Sequence, residues 1–253
     1  MKNTEIKALG TTLLETGALL MVCGASTGRV RNTINRISES FGYTTDMLIS
    51  QRSLMLNVSN NEYGQIFSSL KRTKEHTINF SILSGISRMS WMVVEENWTI
   101  KQIDEEIERL KSEKTYPRIT ILILVGLAGV AFCRLAGGDY LEMGMVFIGS
   151  FLGLLIKQQA TKMKYNPYIC VYFAALTSSL IAGIPLKFYI GNYNEHAFAT
   201  SVLFLIPGVP LINSFSDIIE GNLQNGLIRG LNGFIISFSI AMGLLTSMLI
   251  YNF

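Results

Sequence analysis

A chain of 253 residues, 49% of them hydrophobic and only 15% charged, with a mean hydropathy of +0.36, is too apolar for an ordinary soluble enzyme and reads first as a membrane protein. Its formal charge of +3 is too small to imply a nucleic-acid partner. Residues 1–117 hold 14 Lys+Arg and 13 Asp+Glu while residues 118–253 hold 7 and 5, which predicts an α+β cytoplasmic domain over 1–115 and a membrane domain over 116–253, joined near Pro117.

The first stretch, "MKNTEIKALGTTLLETGALLMVCGAS", resembles a signal peptide in its early lysine and small-residue end. Glu15 interrupts the apolar run and Glu5 and Lys7 crowd its flank, so an amphipathic cytoplasmic helix is the reading. Residues 26–41 place Val30, Ile34, Ile37 and Phe41 on one helical face. The run Gly24-Ala25-Ser26-Thr27-Gly28 fits the G-x-S-x-G pattern of a hydrolase nucleophile elbow, but that needs a strand before it and a base nearby. His76 is the domain's only histidine and about 115 residues cannot hold a hydrolase sheet, so a helix–helix turn is expected. No catalytic residue follows.

Next, "DMLISQRSLMLNVS" and "HTINFSIL" alternate well enough to predict strands, with a turn at Gln51 and Arg52. Thr99 and Gln102 form a capping box ahead of the apolar seam Ile100, Ile103, Ile107 and Leu110. Trp91 and Trp98 read as packing residues. Cys23, Cys133 and Cys170 lack metal-ligand or disulfide spacing, and no metal or cofactor is expected.

Beyond Tyr116, five segments qualify as spans on apolar content, about Arg118 to Ala136, Tyr140 to Ile156, Pro167 to Leu186, Ala197 to Phe215 and Leu227 to Tyr251, each near the ~20 residues a bilayer requires. Lysines and arginines before the first span, after the second and at the start of the fifth predict a cytoplasmic N-terminus and an external C-terminus. The fold class is thus a polytopic α-helical membrane protein with five spans and an N-terminal α+β domain. Glycines at close spacing (Gly126 and Gly129; Gly144, Gly149 and Gly153; Gly230 and Gly233) suit helix packing.

The fourth span reads "LFLIPGVPLINSFSDIIEG" and is broken at Pro-Gly-x-Pro. At ~1.5 Å per residue from an outer boundary near Ala197, Pro207 lies about 15 Å deep and Asp217 about 30 Å deep. Gly208 suits an unwound link and Pro210 the first turn of a second half-helix, whose free N–H groups at Leu211, Ile212 and Asn213 would face a carboxylate. Broken helices at this depth point to a transporter's binding site, here Pro207, Gly208, Leu211, Asn213 and Ser214. A Pro-kinked packing helix is the plainer reading. Asp217 and Arg229 flank the connection "GNLQNG" and suit an ion pair, either one that opens and closes or a static one.

These features together, "VCGASTGRV", "LIPGVPLINSFSDIIEG" and the downstream "GLIRG", resemble the threonine/serine exporter family of bacterial membrane proteins across nearly the whole chain. More closely, the chain resembles the larger subunit of its split form, in which a smaller membrane subunit supplies the remaining spans. Pro207-Gly208, Asp217, Gly221 and Arg229 match the family pattern. Ser26 and Arg31 stand where the family often has glutamates, so the likeness carries no role for acids there. It implies ion-driven, expectedly proton-coupled, export of a small carboxylate from the bacterial cytoplasm across the inner membrane: threonine and serine, or a dicarboxylate such as succinate. Asp217 would accept an ammonium group and Arg229 or Arg134 a second carboxylate. A membrane-anchored regulatory or ligand-sensing protein is the alternative, and it leaves Pro207 and Pro210 without a reason.

Overall fold

The computed structural model describes residues 2–60, 65–73, 77–113, 116–188 and 196–252. In chain order its elements are α1 (Lys2–Val22), α2 (Thr27–Ser40), β1 (Thr44–Ser50), β2 (Ser53–Asn60), β3 (Gln65–Arg72), α3 (Phe80–Glu96), α4 (Ile100–Ser112), α5 (Arg118–Leu135), α6 (Tyr140–Lys162), α7 (Pro167–Ala182), α8 (Ile184–Lys187), α9 (His196–Thr200), a single 3-10 turn (Leu203–Leu205), α10 (Gly208–Ile219) and α11 (Leu223–Tyr251). Two compact units result, Met1–Lys114 with Val209–Gly230, and Thr115–Gly208 with Leu231–Phe253.

In the first unit β1, β2 and β3 form an antiparallel meander in that order. Leu48 pairs with Met55 and Met55 with Leu70. Alternation along each strand sends Ile49, Leu54, Leu56 and Val58 into the core with Ile6, Leu9, Leu13 and Leu20 of α1, Val30, Ile34 and Ile37 of α2, Ile86 and Met89 of α3, and Ile103 and Ile107 of α4. The turn at Gln51 and Arg52 falls between β1 and β2 as expected. The capping box is formed: Thr99 accepts from the Gln102 backbone and the Gln102 side chain from the Thr99 backbone.

The reading of "HTINFSIL" as a strand is corrected. Phe80 onward is helical because the Asn79 side chain accepts from the backbone N–H groups of Ser81 and Ile82, and Leu83, Ile86, Met89 and Val93 repeat with the period of a helix and are buried. His76 lies outside the described residues. The third strand is instead β3, whose exposed Ile66 and Leu70 hide the usual inward pattern. Trp91 lies on the surface, 52% exposed, beneath the Arg36 guanidinium at 3.7 Å from its ring centre.

Among its described residues the second unit contains helices and the turns that join them, with no strand. Here α5, α6 and α11 are long and apolar enough to cross a bilayer, and α9 to Leu205 with α10 would make a fourth span if that pair is counted as one broken span. The expected ends of the second and third spans shift, as do the end of the fourth, at Ile219, and the start of the fifth, at Leu223. Helix α6 runs on to Lys162 rather than Ile156, because long lysine stems lie along a helix while their ammonium groups reach water. Helix α7 stops at Ala182, and after Gly183 the chain makes only the short α8. Its 16 residues span about 24 Å, short of the ~30 Å of hydrocarbon.

Small side chains hold this unit together, as membrane helices require. The Ser178 hydroxyl donates to the Gly149 carbonyl at 2.8 Å, joining α7 to α6, and the Ser150 hydroxyl donates to the Ser201 carbonyl at 3.1 Å. Tyr168 donates to Asn232 at 3.0 Å and Tyr172 bonds Thr246 at 3.1 Å, tying α7 to α11. Ala174, Ala175, Val202, Leu205 and Ile240 pack as one cluster. All three cysteines are free and buried, and burial pushes the Cys23 thiol up from its ordinary value.

Candidate functional site

The site is built on two helix–helix corners of the first unit, and each is made by the same local device. Helix α1 ends in a Schellman turn: Gly24, at φ +90°, donates to the Met21 carbonyl at 3.2 Å, and Ala25 to the Leu20 carbonyl at 3.0 Å. Ser26 then caps α2, accepting from the Arg29 N–H. The G-A-S-T-G run is therefore the expected helix–helix turn, since a helix and not a strand precedes Ser26. Helix α10 ends likewise: Gly221, at φ +82°, donates to the Ile218 carbonyl at 3.1 Å, and Asn222 to the Asp217 carbonyl at 2.7 Å. A left-handed residue is needed at both corners, and glycine adopts it without strain.

The two corners are joined by side chains. The Thr27 N–H, an orphan donor at the first position of α2, donates to Asp217 Oδ1 at 2.8 Å across 190 residues of sequence. The positive end of the α2 dipole thus meets a carboxylate. Asp217 is 0% exposed, and its other oxygen, Oδ2, lies 3.2 Å from Arg229 Nη1. Both atoms are buried and neither has a hydrogen-bond partner, so the pair touches without the aligned fork a guanidinium can offer. The Asn222 amide nitrogen beside it is also buried and unpartnered.

Around this pair the contacts are specific. Asn213 Nδ2 donates to the Gly24 carbonyl at 2.8 Å, Asn225 Nδ2 to Thr27 Oγ1 at 3.2 Å and to the Ile49 carbonyl at 2.8 Å, and Arg31 Nη2 to Asn222 Oδ1 at 3.2 Å. Glu220 accepts from the Ser216 hydroxyl at 3.0 Å and sets its other oxygen where a Cβ on Gly28 would stand, 1.8 Å away. Ser214 donates to the Gly226 carbonyl at 2.7 Å, pinning α10 to α11.

Of the expected site residues, Asn213, Ser214, Asp217 and Arg229 come together on the α10–α11 hairpin. Pro207 is buried at the break before α10, Leu211 is half-buried in its first turn, and a Cβ on Gly208 would meet nothing within 4 Å. The link is Ile206-Pro207 rather than Gly208, which is already helical and donates to the Ile206 carbonyl at 2.9 Å. Starting two residues before Pro210, the helix places the N–H groups of Ile212 and Asn213 beyond its first turn, where they enter the ordinary ladder. The first turn is poor in donors, because Pro207 and Pro210 have none.

Thr27, Gly28, Asn222 and Asn225 are the site residues that sequence reasoning missed. One signal was present: glycine is a poorer helix former than alanine, and its place early in α2 has a reason in the Glu220 carboxylate packed against it. We expect Gly28→Ala to be close to neutral in thermal melting, because the obstructing atom is the end of a mobile side chain while alanine improves the helix. Gly28→Val, which blocks the place Glu220 takes, should melt lower than Gly28→Ala. A large loss from alanine alone would mean that Glu220 cannot move.

No solved structure matches the chain significantly. The chain is similar to the probable succinate transporter subunit YjjP of Klebsiella aerogenes, 24% identical over 250 residues that cover 97% of this chain and 95% of that protein. It is similar also to the probable succinate transporter subunit YjjP of Escherichia coli, 23% identical over 253 residues, covering 99% and 98%. Residues 11–251 match the profile of the threonine/serine exporter family, ThrE, and the profile takes in both corners and the apolar helices. The chain is a membrane protein that belongs to the threonine/serine exporter family.

Proposed function

We propose that this chain is the larger subunit of a two-component secondary exporter that carries small carboxylates out of the bacterial cytoplasm on the proton gradient. The observation that carries the reading is Asp217, fully buried between the N-terminus of α2 and Arg229 with one oxygen left without a hydrogen bond. Protonation of this carboxyl would remove its attraction to both the helix dipole and the guanidinium at once. The two corners would then part, and α11, one continuous helix from Leu223 to Tyr251, would carry the change toward its apolar end.

In this reading residues 1–115 form a cytoplasmic domain and five spans follow, with α7 as the third and the broken α9–α10 segment as the fourth. The N-terminus is cytoplasmic, the C-terminus external, and a smaller membrane subunit completes the transporter. Pro207, Gly208 and Leu211 border the substrate path, where the open space at Gly208 supports room for a ligand. Asn213 and Ser214 are engaged in the closed corner and reach substrate only when it opens. Asp217 and Arg229 couple and gate. The family supports threonine and serine as substrates and the YjjP relatives support succinate; both classes share the carboxylate.

Efflux of labelled threonine, serine and succinate from cells producing this chain, with and without a small polytopic partner encoded beside it, tests the reading. Export of one of these only when both subunits are present is the expected result. Properly inserted protein that moves none of them with the partner present removes the proposal.

A further inference from the structure

At one end of the α5–α6 pair lies a cleft of about 560 Å³ lined by Tyr116, Arg118, Ile121, Leu154, Lys157 and Lys162. Gln158 and Thr161 also line it, so three of the eight lining residues are cations. Arg118 is steadied by its Nε donating to Gln158 Oε1, which leaves the outer edge of the guanidinium for another acceptor. Among the described residues no carboxylate lies within ion-pair distance of Arg118, Lys157 or Lys162.

The apolar part of the cleft matters as much as the charge. Ile121 and Leu154 form part of its wall, and the helix surfaces beyond carry Leu124 at 55% exposed and Ile148 at 47%. Tyr116, 74% exposed, sits at the cleft mouth, just ahead of the span, where aromatic rings favour the headgroup level. A cluster of cations at the end of two spans, opening onto exposed apolar helix surface, matches a molecule with an anionic head and hydrocarbon tails. A soluble dicarboxylate has nothing to place against Ile121 and Leu154.

We propose that this cleft binds the headgroup of an anionic phospholipid, with Arg118, Lys157 and Lys162 on the phosphate and the acyl chains along α5 and α6. A zwitterionic lipid carries the same phosphate but brings its own ammonium group, which cancels the attraction to the cleft. Each cation contributes roughly fivefold to affinity for an anionic lipid.

The test is native mass spectrometry of the full chain in detergent with phosphatidylglycerol or phosphatidylethanolamine, for the wild type and for R118Q/K157Q/K162Q. We expect the wild type to retain phosphatidylglycerol and the triple variant to lose it by more than about tenfold, with weak, equal retention of phosphatidylethanolamine. The charge-conserving R118K/K157R/K162R should keep the lipid, and Lys162→Gln alone, at an exposed position, should cost roughly fivefold should the triple variant fail to fold. Equal retention by wild type and a folded neutral variant overturns the proposal. So does displacement of phosphatidylglycerol by millimolar succinate or inorganic phosphate, which would make the cleft a site for a soluble anion. The readout is binding, so it stands or falls apart from transport.

Discussion

Replacing Arg229 with glutamine should destabilise the protein by about 3–5 kcal/mol, the loss typical when one partner of a buried ion pair is removed. Asp217 is 0% exposed, so without the guanidinium its charge is held only by the Thr27 N–H and the α2 dipole. Asp217→Asn should be milder. The amide oxygen can still accept from Thr27, and the Arg229 side chain, 15% exposed, is long enough to swing its charge toward solvent. Denaturation of purified protein in detergent, run as a double-mutant cycle, should show that Asp217→Asn added to Arg229→Gln recovers part of the loss, with a coupling of about 0.5–3 kcal/mol. Additive single effects would mean that the 3.2 Å approach carries no interaction energy.

The second large effect is expected on transport. Pro207 and Pro210 keep the segment before α10 from merging with it, since each lacks an N–H and clashes with the preceding turn, costing ~3 kcal/mol or more in a continuous helix. Pro207→Ala with Pro210→Ala restores two donors and lets α10 extend back through positions 206 and 207. The protein should insert and be as stable as the wild type or more so, while most of its partner-dependent efflux disappears. Unchanged efflux would show that the break is a packing kink with no part in export.

Much of this is legible in the sequence alone. The break is, because proline acts on its own backbone and needs no distant partner to make it visible. The Thr99–Gln102 capping box is, because both halves lie within one turn. The strand expected at "HTINFSIL" failed for the opposite reason: a short apolar run carries either period, and what decided it was Asn79 capping the next turn. Most hidden was the joining of Gly24–Gly28 to Asn213–Asn225. Hydrogen bonds across about 190 residues leave no local pattern, so "GASTG" read only as a helix–helix turn and Asp217 was matched only with Arg229 across a short connection. Side by side they are the two halves of one polar corner.

The central claim is that Asp217 couples this corner to export. It is tested most directly by efflux driven by an imposed pH gradient, in cells carrying the partner, for the wild type and for Asp217→Asn at matched levels of inserted protein. The account predicts that the variant falls to the level of cells lacking the chain and no longer responds to the gradient. Gradient-driven efflux at the wild-type rate from Asp217→Asn would contradict it and leave the pair with Arg229 a purely structural lock.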